Sequence, residues 1–491
     1  MTELSTTPLD NAGDKNTVNT DGTLNSGFMS SAEEMRAKLG PSLCLAKWQQ
    51  TSLHLTTGHT NSCYHPPLHK IEEKDLESNP SSLHNTNHKK TQRQRMLRGE
   101  KPEECSYCWR AEATGNLSDR HYRSGEPWAA ERFDEILVQD PLTWNVNPAY
   151  VEVNFSNVCN LRCSYCSPQF SSTWAQEVAR FGAYPTKNKH NDPSHFDNDR
   201  AVIPNRTSNP YLEAFWRWWP ELYPQLKHFR MTGGEPTMDK NTYRVFDYVL
   251  ANPKPDLHLN TTSNFSQQPV VFDKYLDYVK RLCQGENIEH FMQFVSLDTW
   301  GSQAEYIRDG MDFDLVQENV ERFLTEIPYR NSLTFIVTMS NLAIPNVHRL
   351  LQWILDLRKR HSTTYQRVWF DTPVLREPIW QTPIGMPAAY QHRLKNTVEW
   401  MKTVPETNDT RFNGFKDYEV QRLQRIVDQM NPKTTKFDNS TKADFYKFFK
   451  EHDLRRGTNF LLTFPEMGEW YDECKYWADN DPQSNGSSSR S

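Results

Sequence analysis

The sequence predicts an α/β protein with a parallel sheet, a cysteine-rich segment before it and a helical segment after it. Two observations carry the sheet. Six runs suited to strands, at 149–156, 226–232, 256–262, 291–298, 333–339 and 366–371, are spaced along the chain. Longer and mostly helical stretches separate them, which is the pattern of βα units. A third observation carries the segments on either side: 491 residues exceed the size at which one core stops growing, so two or three domains are expected.

Composition narrows the function classes. Hydrophobic content of 36% and a mean hydropathy of -0.81 fit a protein with polar tails and loops. A net charge of -6 argues against a general nucleic-acid binder. No run of about 18 apolar residues is present, so no membrane span is expected. The first residues, MTELSTTPLDNAGDK, lack the basic start and apolar centre of a signal peptide. The expectation is a cytoplasmic protein, where thiols stay reduced and nine cysteines point to metal binding rather than disulfides.

Residues 1–36 are rich in Thr, Asn, Ser, Asp and Gly and read as a disordered tail. The segment 37–125 holds one cysteine set. Cys44 and Cys63 flank an alternating stretch with a turn at Gly58, and Cys105 and Cys108 form a CxxC after a Gly-Glu-Lys-Pro turn. A CxxC grips one metal from a tight turn, and Cys44 and Cys63 complete four ligands. Zinc and iron–sulfur both suit four thiolates. The basic run 88–98, HKKTQRQRMLR, reads as a solvated helix face leading into that turn. The sharper alternative is a contact for an acidic peptide, a phosphate or a partner.

The region 126–386 carries the six strand runs. Directly after the first stands a second cysteine set, Cys159, Cys163 and Cys166, spaced CxxxCxxC with Tyr165 before the last. Three thiolates on one loop suit an iron–sulfur cube with one open iron. A structural zinc site wants a fourth ligand, so a zinc knot or three unrelated core cysteines are the bland readings. A helix starting at Ser171 follows, then a long polar loop over 185–210. Phe215, Trp216, Trp218 and Trp219 cluster as helix packing would have them. After the second strand stands MTGGEPTM, with Gly233, Gly234, Glu235 and Pro236; two glycines let a backbone approach a ligand closely. The third strand ends at Ser263 and Asn264, short polar residues that also form turns. The fourth ends near Ser296 and Asp298, with Arg308 ten residues beyond. Cys283 and Cys474 have no sequence partner and read as small buried hydrophobes. Residues 387–480 show helical patterns at 395–402, 417–430 and 443–452, and 481–491 read as a flexible tail.

The CxxxCxxC loop followed one βα unit later by Gly-Gly-Glu-Pro resembles the radical S-adenosylmethionine (SAM) superfamily, from about Cys44 to Glu466. The resemblance implies a partial (β/α)6 barrel with its chemistry at the C-terminal ends of the strands. It implies a catalytic [4Fe–4S] cluster on Cys159, Cys163 and Cys166, and SAM held by Tyr165 and by Gly233 to Pro236. Ser263, Asn264, Ser296, Asp298 and Arg308 would make further SAM contacts, with Arg308 facing the methionyl carboxylate. Met339 or Asn341 would face the adenine. Cys44, Gly58 and Cys63 resemble the opening of twitch (SPASM-like) modules, which implies an auxiliary [4Fe–4S] cluster on Cys44, Cys63, Cys105 and Cys108. Here the module precedes the barrel, whereas many such modules follow it. The implied activity is reductive cleavage of SAM to a 5'-deoxyadenosyl radical and hydrogen abstraction from a substrate. A peptide or protein that is oxidised or cross-linked is the leading substrate class, with a small molecule such as a sugar or nucleotide as the alternative. A reducing donor such as flavodoxin or ferredoxin is the implied partner. A radical SAM methyltransferase or isomerase, and a zinc-stabilised binding protein, are the competing readings.

Overall fold

A computed structural model describes residues 26–192, 200–363, 365–407 and 412–480. Its frame is a nine-stranded sheet in a mixed α/β fold. Six strands stand where the sequence expects them: β4 (Tyr150–Asn154), β6 (His228–Thr232), β7 (Lys254–Ser263), β8 (Ile288–Ser296), β10 (Asn331–Ile336) and β11 (Val368–Asp371). Each pairs in parallel with the next along the order β4-β6-β7-β8-β10-β11. Apolar positions alternate along β4, where Val151 and Val153 are fully buried and Glu152 is half-buried.

The crossovers are helices at Pro210–Leu222, Lys240–Ala251, Pro269–Cys283, Phe313–Glu326 and Val347–His361. Three of them begin on a side-chain cap: Asn209 accepts from the Tyr211 and Leu212 amides, Asp239 from Asn241, and Asp312 from Leu315. Phe215, Trp218 and Trp219 are buried in the first of these helices, with Trp219 packed edge-on against Phe229 of β6. The aromatic cluster is therefore helix packing.

Three features depart from the sequence reading. First, the cysteine-rich segment shares the main sheet. β1 (Gln50–His54) lies parallel to β4, in register Gln50 to Tyr150 and His54 to Asn154, and β2 (His59–Asn61) and β3 (His69–Lys70) extend the sheet as antiparallel strands. Second, the tail expected over 1–36 ends earlier. Residues 1–25 lie outside the described residues, but Ser26–Leu39 is a helix whose Ala32, Met35 and Leu39 are buried. Apolar spacing of three to four residues gave that helix a face to bury. The expected tail at 481–491, and residues 193–199 of the expected loop, also lie outside the described residues.

Third, the basic run is a solvated face only in part: His88 and Arg98 are exposed, but the other face is buried. In the helix Asn87–Leu97, Lys89, Arg93 and Met96 are buried. Lys89 Nζ donates to the Thr51 and Thr60 hydroxyls at 2.8 and 2.7 Å and to the Asn61 carbonyl at 3.0 Å. Arg93 donates to the Lys47 carbonyl and to Asn85 Oδ1. Buried cations persist only when hydrogen-bonded, and these helices and strands supply the oxygens. Burial holds the Lys89 amine well below its ordinary pKa.

Two cores result. The main one lies between the sheet and its helices and continues into the C-terminal helices Ala388–Lys402, Asp417–Gln429, Asn439–Arg456 and Gly468–Asp479. A smaller one gathers Trp48, Met96, Cys105, Trp128, Ile136 and Tyr150 in the N-terminal segment. The C-terminal helices are tied on by a fully buried ion pair, Arg358 to Glu419 at 2.5 Å. Among the described residues no helix is long and apolar enough to cross a membrane.

Candidate functional site

The C-terminal ends of β4, β6, β7 and β8 open on one side of the sheet, and the loops leaving them meet. The loop after β4 carries Cys159, Cys163 and Cys166, all half-buried and all free thiols. It is fastened from several directions. The Cys159 amide donates to Ser172 Oγ at 3.2 Å, and Trp174 Nε1 donates to the Cys163 carbonyl at 2.8 Å. Gln381, 217 residues away, exchanges two hydrogen bonds with Ser164. Arg456 donates to the Arg162 carbonyl at 2.8 Å. The backbone is thus occupied, while the three sulfurs make only long contacts of 3.4–3.7 Å.

The thiols also sense one another. Burial pushes Cys159 up to about 12, with the neighbouring Cys163 adding to it. Cys166 is raised by burial and then by Cys163 and Cys159. Cys163 is raised by burial but opposed by the Arg308 guanidinium. Three converging thiolates of like charge are relieved by a cationic centre, and metal binding drives their protons off. The donor set therefore fits an iron–sulfur cluster held by Cys159, Cys163 and Cys166.

Gly233 to Pro236 lie against the start of this loop. The Gly234 amide donates to the Ser156 carbonyl at 3.2 Å and the Glu235 amide to the Val158 carbonyl at 2.6 Å. The glycines serve that contact: a Cβ on Gly233 would lie 2.4 Å from Asn154 Oδ1, and one on Gly234 2.3 Å from the Val158 carbonyl oxygen. Gly233 also has a φ of 124°, a region that side-chain-bearing residues rarely adopt. The missing side chains of the two glycines thus make room for Asn154 and for the Val158 carbonyl. Gly234→Ala is expected to push the cysteine loop outward, destabilise the protein by about 1–3 kcal/mol and lower iron retention severalfold. Melting temperature and iron per chain check this; a variant matching the wild type in both would show that the contact is dispensable.

Glu235 is buried, and its carboxylate accepts from Thr237 N at 3.1 Å, Thr237 Oγ1 at 2.7 Å and Asn264 N at 2.8 Å. Burial raises its pKa, and those donors pull it back. Asn264 continues the chain of contacts by donating to Asn160 Oδ1 inside the cysteine loop. Ser263 closes a turn by accepting from Phe265 N. Ser296 is half-buried at the end of β8. Tyr165, Asp298 and Arg308 meet at Cys163. The Tyr165 hydroxyl donates to Asp298 Oδ2 at 2.8 Å, and Arg308 Nη2 donates to Asp298 Oδ1 at 2.9 Å. Asn341 is buried and donates to the Trp380 carbonyl, while the buried Met339 pairs with Val374 through the backbone.

The second cysteine set lines a single cavity. Cys44, Cys63, Cys105 and Cys108 share its wall with Lys47 and Arg120. Burial pushes Cys105 up to about 11 and Cys108 up to about 12, and Cys44 is raised by burial and by all three other cysteines. Lys47 is paired with Glu104 beside Cys105. Among the described residues no three His, Cys, Asp or Glu side chains close on a point suited to one metal ion. Four sulfurs around one cavity are a donor set that suits either zinc or an iron–sulfur cluster. Cys283 and Cys474 are buried elsewhere in the main core.

Sequence reading missed Asn160, Ser164, Gln381 and Arg456. Asn160 lies within the CxxxC spacing, where position alone could have flagged it. Gln381 and Arg456 reach the loop from more than 200 residues away, and nothing local marks them.

The fold and site thus define a mixed α/β protein whose parallel strands end at a three-cysteine loop. No protein-family model matches the chain. Over 209 residues it is 23% identical to the GTP 3',8-cyclase of Pasteurella multocida (strain Pm70), a stretch that is 42% of this chain and 50% of that enzyme. The chain therefore spans about half the length of that relative. Among solved structures, SuiB of Streptococcus suis bound to S-adenosylmethionine aligns with a TM-score of 0.32 at 12% identity, covering 72% of this chain and 69% of that one. A second SuiB structure gives 0.31 at 13% identity, covering 61% and 56%. A likeness this loose leaves the sheet order itself as the description of the fold.

Proposed function

We propose that this chain is a radical SAM enzyme that cleaves SAM reductively at a [4Fe–4S] cluster held by Cys159, Cys163 and Cys166. The observation that carries the reading is the fastening of the Gly233–Pro236 turn onto that loop, so that both motifs share one site. When bound and reduced, such a cluster would supply the one electron that splits SAM into methionine and a 5'-deoxyadenosyl radical, the species that would take a hydrogen atom from the substrate. The residues of the chain supply ligation, orientation and exclusion of water. Gly233, Gly234, Glu235, Pro236, Tyr165, Ser263, Asn264, Ser296, Asp298 and Arg308 form the wall against which SAM would lie. The backbone of the Gly233–Pro236 turn and the end of β8 are the parts of it best suited to touch the ligand.

Cys44, Cys63, Cys105 and Cys108 would hold an auxiliary [4Fe–4S] cluster in a twitch-like segment spanning 37–125. A single zinc ion, which also takes four cysteine sulfurs, is the competing occupant. Such a cluster can take an electron from a substrate radical, giving net oxidation or a cross-link. A peptide or protein is the proposed substrate, and a flavodoxin or ferredoxin the proposed donor. The cyclase relative, which by its name acts on GTP, favours a second reading in which the substrate is a nucleotide or another small molecule.

Metal analysis tests the reading directly. Anaerobically reconstituted protein is expected to hold about eight irons and eight sulfides per chain, as two cubes require, with a broad absorption near 400 nm. About four irons with one zinc would keep the enzyme and make the N-terminal site structural. Zinc alone would overturn the radical mechanism.

A further inference from the structure

The contact between Arg308 and the cysteine loop is built by backbone as well as side chains. Away from the main sheet, β5 (Arg162–Cys163) and β9 (Arg308–Asp309) form a two-stranded antiparallel ladder that sets Cys163 opposite Arg308. The Ser164 amide adds a bond to the Ile307 carbonyl at 2.7 Å. Arg308 is buried, and its Nη1 donates to Cys163 Sγ at 3.6 Å. Its other terminal nitrogen is fixed by Asp298, which is wholly buried and is held in turn by the Thr338 amide at 3.0 Å and the Tyr165 hydroxyl. The Tyr165 ring lies 5.6 Å from the guanidinium. The other two sulfurs differ: Cys159 Sγ accepts from the Leu161 amide at 3.4 Å, and Cys166 Sγ faces the Ser167 carbonyl. Cys163 has a cation as its donor.

We propose that Arg308, aimed by Asp298, is a positioning residue that raises the reduction potential of the cluster on Cys159, Cys163 and Cys166. This rests on the cluster proposed above. Reduction adds one negative charge to the cluster and its thiolates. A guanidinium donating to one thiolate stabilises that added charge more than it stabilises the oxidised form, and burial keeps water from screening it. Hydrogen bonds to ligand sulfurs are a recognised means by which a protein tunes such centres. Asp298 offsets part of the charge and fixes its direction, with the positive end toward sulfur. Nε is a further donor of Arg308, buried with no partner.

A mediated dithionite titration of the reconstituted full-length protein, followed by electron paramagnetic resonance, tests the role without an activity assay. The relevant signal is the one lost in Cys163→Ala. Arg308→Gln is expected to shift its midpoint to more negative potential, and Arg308→Lys to leave it close to wild type. Asp298→Asn removes the opposing charge and is expected to shift it the other way. Opposite signs from the two variants are not what general loosening of the loop would give. An unchanged midpoint in Arg308→Gln with full iron content would overturn the proposal. If that variant fails to retain its cluster, Asp298→Asn decides: a rise supports the role and no change or a fall overturns it. Absence of any wild-type cluster at Cys159, Cys163 and Cys166 would instead refute the functional reading on which the role depends.

Discussion

Replacing Cys163 with Ala is expected to abolish SAM cleavage, whereas Cys105→Ala should retain part of it and lose the final product. The two sites are physically separate. Cys159, Cys163 and Cys166 pack against the main core, and Cys105 belongs to the smaller core with Trp48, Met96 and Trp128. A cluster held by three thiolates has no spare ligand, so removing one leaves it ungripped. Cys163 carries more than ligation, because the Arg308 hydrogen bond and the Trp174 bond to its carbonyl both converge there. At the second site the loss of Cys105 leaves three cysteines, and the strand ends around the first site are untouched. The measurement is 5'-deoxyadenosine formed per chain under dithionite, beside substrate turnover, with a melting curve for each variant. Equal and complete loss of cleavage in two folded variants would sink the idea of distinct roles.

How far the sequence reached depends on the range of the interaction that fixes each element. Strands β4, β6, β7, β8, β10 and β11 are legible because their signal is local: short runs of β-branched and aromatic residues between longer helices. β1 is legible only as an alternating stretch: its partner β4 lies 100 positions away in parallel register, and nothing in QTSLH states that pairing. The run from His88 to Arg98 misleads for a related reason. Charge density predicts solvent, but Lys89 and Arg93 find their oxygens on Thr51, Thr60, Asn61, Lys47 and Asn85. The candidate site divides in the same way. Cys159, Cys163, Cys166 and Gly233 to Pro236 are short-range motifs that can be read directly. The meeting of Tyr165, Asp298 and Arg308 around one sulfur spans three separate segments and needs the fold. The need for glycine at 234 likewise lies in the Val158 carbonyl across the gap.

Acidification is expected to destabilise the protein steeply below about pH 6.5, through a layer of rings across the sheet. Tyr150, His228, His258 and His290 stand side by side in register on β4, β6, β7 and β8. Tyr150 and His228 stack at 5.6 Å, His228 and His258 at 4.5 Å, and His258 and His290 lie 6.3 Å apart. Burial lowers His258 to about 4, despite Asp256 pulling it up. His228 and His290 sit well below the ordinary value, by burial first and then through the neighbouring His258, with Arg123 and Arg367 adding to each in turn. Nδ1 of both is buried without a hydrogen-bond partner, so a proton added there would find no acceptor. His290 Nε2 is engaged with Ser332 Oγ at 2.9 Å.

The sign follows from where protons bind. Below about pH 6.5 the unfolded chain protonates these imidazoles and the folded chain does not. Their contribution to stability is therefore full above that pH and is lost as pH falls toward 4, the value to which His258 is depressed. Each such histidine changes the unfolding free energy by up to about 1.4 kcal/mol per pH unit. Three together are a large fraction of the stability of an ordinary domain, about 5–15 kcal/mol. The slope of unfolding free energy against pH between 6.5 and 5 should include about three protons taken up by this layer, beside those of other buried imidazoles such as His84, His121 and His452. In His258→Phe, which keeps a ring in the stack, the slope should fall by about one proton. A wild-type stability that stays flat over that range, or a slope unchanged in the variant, would show that the layer is not what the acid acts on. The layer lies at the end of the strands remote from the cysteine loop, so the expected loss belongs to the fold and not to the thiolates.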